Sequence, residues 1–550
     1  MRAITILYGG SLTEEAFKPV FSGQSAVSLA IKKAAAFPYS DRTLLFAKDS
    51  QAGDIPVLEL LGNKAFMVIR REWTVSELLL TMSELSAGFD FAYYAWADAP
   101  FLDPALAGRI AERHTRYAAE YSFADGWPAG LSPELVTSAS AGILYKIAGD
   151  AGAGPVRRDS IFTVLQKDIN SFDIETEISE EDLRHHRLSF FADSKRNLLL
   201  LERFASVLPA AAGTADTAGV SDASGIAGDI CKIIKSHPQF LRTLPAFFPI
   251  QITSACPKDK GGSCRICPYP QFGINNGDSS QRDEFMAIAD FSALLDKIEQ
   301  FAGDGIIDLS FWGEISLHPQ REILIKAVME RPALSLIIET SGIGWADFDF
   351  AKIAGKLAAN KAYPRKPASA TDNTLAVSWI VSLNPADLPD SNNEAVSFVK
   401  KAISFFPQEK GNKAMVYVEA VRLAGEEDAI EKFYRAWKAF GAENNNAGPA
   451  VIIQKYDSFC GFLPKKNTVD LSPVERRPCW HLLRDFPVLL DGIVPMCRED
   501  LGKTPVQLGN VFNEDLAEIW KRGEAPYLSH CRKEYGEICR ACDEYYTFNF

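Results

Sequence analysis

Cysteine is absent from the first 230 residues of this 550-residue chain, and no segment approaches the roughly 18 consecutive apolar residues that span a bilayer. Positive charge is also scarce, since 58 Lys and Arg face 71 Asp and Glu and give a formal net charge of −13. A chain without a basic surplus is a poor general partner for nucleic acid or for an anionic membrane surface. We therefore expect neither kind of partner.

The first ten residues contain a short apolar run that ends in glycines. A secretory signal needs a longer apolar region and a small-residue cleavage site, so we interpret the run as a first strand and expect a cytoplasmic protein. The composition, with 47% hydrophobic and 23% charged residues, is typical of globular domains. At this length several domains are expected.

Two α/β regions are predicted on either side of a segment poor in large apolar side chains. That segment, residues 209–228, buries too little surface to fold and is predicted to be a flexible linker. Alternation of strands and helices on both sides indicates largely parallel sheets covered by helices. We predict an α/β domain over 1–208, a partial barrel of six β/α units over 229–465 and a small cysteine-rich domain over 466–550. The strands are predicted at residues 4–8, 43–46, 65–69, 90–95, 248–252, 306–311, 334–339, 376–381, 415–421 and 450–454.

The ten cysteines fall mainly into two groups, and in a cytoplasmic chain they are expected to be reduced thiols. The first group, Cys256, Cys264 and Cys267, lies on a Gly-containing loop after the first strand of the second region. Three thiolates on one loop can hold three irons of a [4Fe–4S] cluster and leave the fourth iron open to a ligand. A zinc knuckle is the alternative that the cysteines alone leave open.

This loop resembles that of the radical SAM family, in which the open iron binds S-adenosylmethionine, although the spacing here is C-x7-C-x2-C and not C-x3-C-x2-C. The segment DLSFWGE ends the second strand and resembles the family's Gly-Gly-Glu motif, with Trp312 in place of the first glycine. ETSG closes the third strand and resembles another family element, and a serine closes the fourth. The resemblance implies that S-adenosylmethionine is bound by Gly313, Glu314, Thr340 and Ser382.

The second group lies near the C-terminus, where an Asp491–Gly492 pair between two short apolar runs predicts a hairpin that brings its flanking cysteines together. The spacing C-x12-G-x4-C followed by a late C-x2-C resembles the SPASM/Twitch domain of many radical SAM enzymes. The resemblance implies an auxiliary [4Fe–4S] cluster, with structural zinc as the alternative. The implied ligands are Cys479, Cys497, Cys539 and Cys542.

The remaining cysteines and two nearby histidines are interpreted more simply. Cys531 is either spare or an alternative cluster ligand, whereas Cys231 and Cys460 are expected to be small packed residues. His481 and His530 are expected to be hydrogen-bonding partners and not ligands.

The first region resembles the nucleotide-sugar cytidylyltransferases of the spore-coat polysaccharide type in three stretches, WADAPFLD, WPAGLSPE and RLSFFAD. The resemblance implies a nucleotidyltransferase-like domain of the Rossmann type, with Asp98 as a candidate Mg²⁺ ligand and a helix-proximal cap as the alternative role. The family's basic loop after the first strand is replaced by one with Glu14, Glu15 and a late Lys18. Carboxylates repel the phosphates that such a loop neutralises, so we expect the fold without the activity.

The whole chain resembles spirochaete proteins that join a nucleotidyltransferase-like domain to a radical SAM/SPASM pair. This resemblance implies two [4Fe–4S] clusters, S-adenosylmethionine, an electron donor such as a ferredoxin or flavodoxin, and a peptide or sugar-linked substrate. In such enzymes the cofactors supply a 5′-deoxyadenosyl radical, and the protein positions them. Two alternatives remain open: a non-catalytic iron–sulfur scaffold with a degenerate radical SAM site, and a nucleotidyltransferase acting on a nucleotide sugar.

Overall fold

The computed structural model describes residues 1–55, 65–208, 225–257, 266–269, 284–353, 377–406, 415–443, 448–468, 472–500 and 507–546. The chain divides into two units, the first Met1–Thr243 and the second built from the residues after it. Most of the predicted linker, residues 209–224, lies outside the described residues. No described helix combines the length and the apolar content needed to cross a membrane.

The first unit is built on a seven-stranded sheet. Its strands are β1 (Ala3–Gly9), β2 (Ser40–Lys48), β3 (Ala65–Arg70), β4 (Phe91–Trp96), β5 (Tyr121–Asp125), β6 (Glu134–Val136) and β7 (Ile174–Ile178). Their spatial order is β3-β2-β1-β4-β6-β5-β7. The short β6 runs antiparallel to β4 and β5, while every other neighbouring pair is parallel. The four strands predicted here and the largely parallel sheet are confirmed.

Helices cover this sheet, and their ends follow local sequence signals. They are α1 (Ala26–Ala34), α2 (Val75–Leu85), α3 (Pro104–Arg116), α4 (Ser138–Ala148), α5 (Ser160–Leu165), α6 (Lys195–Ala205) and α7 (Gly225–Ser236). Helix α2 begins with a capping box, in which Thr74 and Glu77 satisfy each other's backbone N–H groups. Helix α3 begins after Asp103, whose Oδ1 accepts from Ala105 N at 2.9 Å.

Helix α7 belongs to the first unit, whereas the sequence pattern predicts that the second region starts at residue 229. Its apolar side chains, among them Ile226, Ile230 and Ile234, are buried in the core of the first unit. Ala227 N also donates to Asp103 Oδ2 at 2.9 Å. The linker was predicted from small-residue composition, but from residue 226 onward the apolar positions repeat with a helical period.

The second unit contains a six-stranded, fully parallel sheet. Its strands are β8 (Phe247–Pro249), β9 (Gly305–Asp308), β10 (Leu334–Thr340), β11 (Val377–Ser382), β12 (Val416–Arg422) and β13 (Ala450–Lys455). Spatial order follows chain order, and each neighbouring pair is parallel. The long helices between the strands are α8 (Ile288–Ala302), α9 (Arg321–Met329), α10 (Glu394–Phe405) and α11 (Glu427–Glu443). The six predicted strands and the α/β class are confirmed.

The two faces of this sheet carry different side chains, because successive residues of a strand point to opposite faces. On β10, Leu334, Leu336 and Ile338 lie in the large core that includes the helices. Ile337, which lies between Leu336 and Ile338, points to the other face. There it forms a small apolar layer with residues of the neighbouring strands, Phe247, Ile306, Ile380 and Tyr417. This layer is the floor of the partial barrel.

The C-terminal segment forms a two-stranded antiparallel sheet and four short helices. These are β14 (Ile493–Pro495) and β15 (Gln507–Asn510), with α12 (Trp480–Arg484), α13 (Leu516–Arg522), α14 (Glu524–Cys531) and α15 (Glu537–Ala541).

The predicted hairpin is confined to a tight turn, closed by Leu489 N donating to Ile493 O at 2.8 Å. Its second arm, β14, pairs with β15 and not with the residues before the turn. Those earlier residues continue the barrel sheet instead, because Val488 N donates to Pro249 O at 2.8 Å. Backbone pairing with β8 therefore joins the cysteine-rich segment to the edge of the barrel.

Candidate functional site

Asp98, the candidate Mg²⁺ ligand of the first unit, lies buried just beyond β4. Arg158 donates to both of its oxygens, Nη1 to Oδ1 at 2.8 Å and Nη2 to Oδ2 at 2.5 Å, and also to Asp193 at 3.2 Å. The guanidinium lies over the rings of Trp96 and Phe191, at 4.0 and 3.7 Å from their centroids. Both oxygens of Asp98 are thus used in a buried ion pair.

The first cysteine group lies beyond the carboxyl end of β8. Cys256 and Cys267 are described and face one cavity, while Cys264 lies outside the described residues. The two ends of the loop are joined, since Ser254 N donates to Glu284 O at 3.0 Å and Met286 N to Ile252 O at 2.9 Å. The loop therefore leaves and re-enters the barrel at one place.

The predicted Gly-Glu motif packs directly against the start of this loop. Glu314 N donates to Ala255 O at 2.8 Å, next to Cys256 in the chain. Gly313 has φ +134°, and a Cβ placed on it would lie 2.2 Å from Thr253 O. A glycine is therefore required for this approach of the two backbones.

The Glu314 side chain joins the motif to the third strand. It is buried and accepts from Thr340 Oγ1 at 2.6 Å, from Ser341 Oγ at 2.6 Å and from Ser341 N at 3.0 Å. Ser382, at the end of β11, lines the same cavity as Gly313, Glu314 and Thr340. The structure thus brings together all four predicted S-adenosylmethionine contacts and the two described cysteines of the first group.

The cavity has a volume of about 270 Å³ and lies over the apolar floor of the barrel. The side chains two positions beyond the floor residues point to the same face of the sheet. These side chains are polar. Asp308, Glu339, Ser382 and Glu419 follow Ile306, Ile337, Ile380 and Tyr417 in this way.

Aromatic side chains form one wall of the cavity. Trp312, which replaces the family's first glycine, has φ +46° and stacks on Tyr269 with ring centroids 6.0 Å apart. The Trp312 ring also lies 5.2 Å from that of Phe311 and 5.6 Å from that of Phe459. Burial, followed by the negative charge of Cys256, raises the pKa of Tyr269 to about 12, so its hydroxyl is a neutral donor.

The second cysteine group also comes together in space. Burial raises the pKa of Cys479, and the charges of Cys542 and Cys539 raise it further. The pKa of Cys497 is likewise raised by burial and by its acidic and thiol neighbours, including Cys479. Thiols gathered in this way repel one another once ionised, and a metal centre removes that repulsion. The donor set therefore fits an iron–sulfur cluster.

Cys460, predicted to be a packed residue, is a fifth thiol of this group. Its side chain hydrogen-bonds to Cys542, and this contact lowers the pKa of Cys542. It stands in a turn where Phe459, Cys460 and Gly461 have φ of +49°, +54° and +79°. Successive left-handed residues are costly for side chains other than glycine, and no spacing rule in the sequence indicates them.

Two histidines and Cys531 also lie near the group. Both ring nitrogens of His481 are engaged, Nδ1 with Asp485 at 2.6 Å and Nε2 with Glu544 O at 3.2 Å. His530 Nδ1 accepts from Cys479 N at 3.4 Å. Cys531 packs beside Cys479 in a small apolar cluster.

Comparisons with known proteins agree with this C-terminal site. Residues 479–543 match the SPASM family, described as an iron–sulfur cluster-binding domain. This part of the chain is therefore a SPASM domain.

Over a longer stretch, the chain is similar to an uncharacterized protein of Treponema pallidum. The two are 34% identical over 398 residues, which cover 71% of this chain and 98% of the other. The chain belongs to the same protein family as that Treponema protein.

Two solved structures resemble separate parts of the chain. BtrN in complex with AdoMet and 2-DOIA is 17% identical, with a TM-score of 0.32, and the match covers 55% of this chain and 93% of that one. A cytidylyltransferase from Leptospira borgpetersenii is 11% identical, with a TM-score of 0.34, over 44% of this chain and 97% of that one. At these scores neither likeness supports a conclusion about this chain.

Replacing Arg158 with Met is expected to destabilise the first unit by about 3–5 kcal/mol, because Asp98 and Asp193 would stay buried without their cation. Hydrogen exchange of residues 91–98 measures the loss of protection. The matched control is Arg184→Met, which removes an exposed arginine paired with Asp125 and Asp182. Equal protection in the two variants would contradict the buried ion pair.

Replacing Gly313 with Ala is expected to force the backbone away from Thr253 and to cost an extra ~1–3 kcal/mol over a simple left-handed glycine. Gly425→Ala is the control, since Gly425 has φ +83° with nothing within 4 Å of an added Cβ. Thermal denaturation and hydrogen exchange at residues 252–255 give the comparison. Similar losses in both variants would show that the contact with Thr253 is unimportant.

Proposed function

We propose that the second unit is a radical SAM enzyme with an auxiliary iron–sulfur cluster. In this proposal Cys256, Cys264 and Cys267 hold the first [4Fe–4S] cluster at the mouth of the barrel cavity. The auxiliary cluster is held by the SPASM cysteines Cys479, Cys497, Cys539 and Cys542. When bound, the first cluster and S-adenosylmethionine supply a 5′-deoxyadenosyl radical, which takes a hydrogen atom from the substrate.

One observation carries the proposal: motifs far apart in sequence line a single cavity at the carboxyl ends of parallel strands. Four successive strands, β8 to β11, each carry one of these residues at or beyond the carboxyl end, namely Cys256, Gly313, Thr340 and Ser382. Ligand sites of parallel α/β folds form at this end of the strands. An ordinary strand end has no need of a close backbone contact such as that of Gly313 with Thr253. It also has no need of a buried carboxylate that connects two strand ends, as Glu314 does.

The protein's own residues position the ligands and exclude water. Glu314 is fully used by Thr340 and Ser341, so it fixes the shape of the loop and leaves the backbone of Gly313 at the cavity wall. Trp312 and Tyr269 form a stacked wall beside Cys256. A shaped cavity suits radical chemistry, because it can hold the substrate next to the radical source and keep solvent oxidants away from the reactive species.

We further propose a peptide or sugar-linked substrate and a ferredoxin or flavodoxin as electron donor. The nucleotidyltransferase alternative has less support, because both Asp98 oxygens bind Arg158. The non-catalytic scaffold differs from the enzyme in one measurable respect, cleavage of S-adenosylmethionine.

Anaerobic reconstitution of the full chain tests the enzyme. We expect about eight irons per chain, since each [4Fe–4S] cluster holds four, and 5′-deoxyadenosine when S-adenosylmethionine and dithionite are added. Alanine at Cys256, Cys264 and Cys267 together should remove about four irons and all 5′-deoxyadenosine. Cys231→Ala, in the first unit, is the control and should leave both unchanged. About four irons with no cleavage in the unaltered chain would favour the scaffold.

Cys460→Ser tests the fifth thiol. Because Cys460 hydrogen-bonds to Cys542, its loss should change the Mössbauer and EPR spectra of the auxiliary cluster and speed its removal by a chelator about tenfold, as expected for a group next to a metal ligand. Cys231→Ser is the matched control. Spectra and chelation rates identical to those of the unaltered chain would show that Cys460 does not act on the cluster.

A further inference from the structure

We infer that the barrel cavity binds its substrate through a positively charged amine, whose ammonium group lies between Glu339 and Glu419. The inference depends on the proposed function in one respect only, which is that this cavity is the substrate site. It adds the chemical class of the ligand, which neither the motifs nor the SPASM domain specifies.

Acidic side chains outnumber basic ones in the described lining of the cavity. Two cationic side chains, Arg498 and Lys455, belong to its described lining. The carboxylates that line it are Asp308, Glu314, Glu339, Glu419, Asp457, Glu499 and Glu544. Lys455 is already paired with Asp543 and Glu544, and Arg498 Nε contacts Glu499 at 3.2 Å. Both cationic side chains are therefore already paired with carboxylates on one side of the lining.

Two of these carboxylates differ from Glu314 and Asp308 in their partners within the described part of the chain. Glu314 is satisfied by Thr340 and Ser341, and Asp308 accepts from Ser310 N at 2.9 Å. Within the described part of the chain, neither the Glu339 nor the Glu419 carboxylate has a hydrogen bond or an ion pair, although the charge of Arg498 lowers the pKa of both.

The two carboxylates differ in their exposure to solvent. Glu419 is only 7% exposed, and Glu339 is reached by solvent from inside the cavity. Burial, then the charge of Asp308, raises the pKa of Glu339 to about 7. Burial, then the charge of Glu339, raises the pKa of Glu419 as well. A bound cation would offset the cost of both charges.

The spacing suits one ammonium group. Glu339 and Glu419 extend from β10 and β12, which flank β11. In the strand register Glu339 lies level with Ile380 and Glu419 lies level with Ser382, two residues further along, so their backbones stand ~12 Å apart. An ammonium offers three N–H donors and can be shared by two carboxylates that reach toward each other. Ser382, on the strand between them, lines the cavity beside them as a further hydroxyl partner.

A metal ion fits these two residues less well. Among the described residues, three metal-ligating side chains come together at Asp457, Asp543 and Glu544, whose ligand atoms lie within 4.8 Å of one another. Glu339 and Glu419 belong to no such group in that part of the chain. A cation with its own hydrogen-bond donors is therefore the better occupant.

Matched pairs of small probes test the inference on the reconstituted full chain without reductant. Glucosamine is compared with glucose, and N-acetyl-lysinamide with N-acetyl-norleucinamide, by ligand-observed NMR near neutral pH. Each ammonium probe is expected to bind at least tenfold more tightly than its neutral partner. Glu419→Gln and Glu339→Gln should each weaken the ammonium probes about tenfold, which is a change of ~1.4 kcal/mol, and leave the neutral probes unchanged. Glu431→Gln, on the exposed face of α11 and paired with Arg435, is the control and should change nothing.

Three results would overturn the inference: neutral probes binding as tightly as ammonium probes, no binding by either ammonium probe, or ammonium binding that survives both substitutions. The sulfonium of S-adenosylmethionine is the other possible cation, so its binding is compared with that of neutral S-adenosylhomocysteine. If Glu419→Gln weakens only S-adenosylmethionine, the carboxylates serve the cofactor and the inference fails. These are binding measurements, so their outcome is independent of whether 5′-deoxyadenosine is formed.

Discussion

The site in the second unit depends on the hydrogen bonds of Glu314. Its backbone N–H holds Ala255, beside Cys256, at 2.8 Å, and its carboxylate holds Thr340 and Ser341 at the end of β10. The cysteine loop, the glycine motif and the third strand are thus fixed relative to one another by a single residue. Because that carboxylate is buried and fully satisfied, losing any one partner would leave a buried polar group unpaired, which is costly. The cavity wall is rigid for this reason.

Much of this arrangement could be predicted from the sequence, because it follows from local periodicity. Strands such as β10 and β12 are short, mainly apolar runs, as is typical of a parallel sheet covered on both faces. Their carboxyl ends meet at one edge of the sheet. Motifs that end successive strands were therefore expected to be neighbours, as Gly313, Thr340 and Ser382 are. The SPASM segment was equally visible, since cysteine spacing is a property of the chain itself.

Features that depend on tertiary contacts could not be predicted in the same way. Arg158 meets Asp98 across 60 positions of sequence, and no motif links the two. Cys460 reaches Cys542 only because a left-handed turn redirects it. The Asp491–Gly492 pair predicts the turn but not the pairing of β14 with β15, because the residues before the turn pair with β8. In each case the deciding contact joins residues that are too far apart in sequence for a local pattern to predict it.

The C-terminal thiol group and the barrel cavity are linked through the backbone, because three consecutive residues contribute to the two sites. Cys497 belongs to the thiol group, whereas Arg498 and Glu499 line the cavity. Three residues span at most ~11 Å of chain, so the cysteine cannot move far without moving the arginine. Arg498 lowers the cost of the charges on Glu339, Asp308 and Glu419. If Cys497 holds the proposed cluster, that cluster would also hold in place the cation on which the charge balance of the cavity depends.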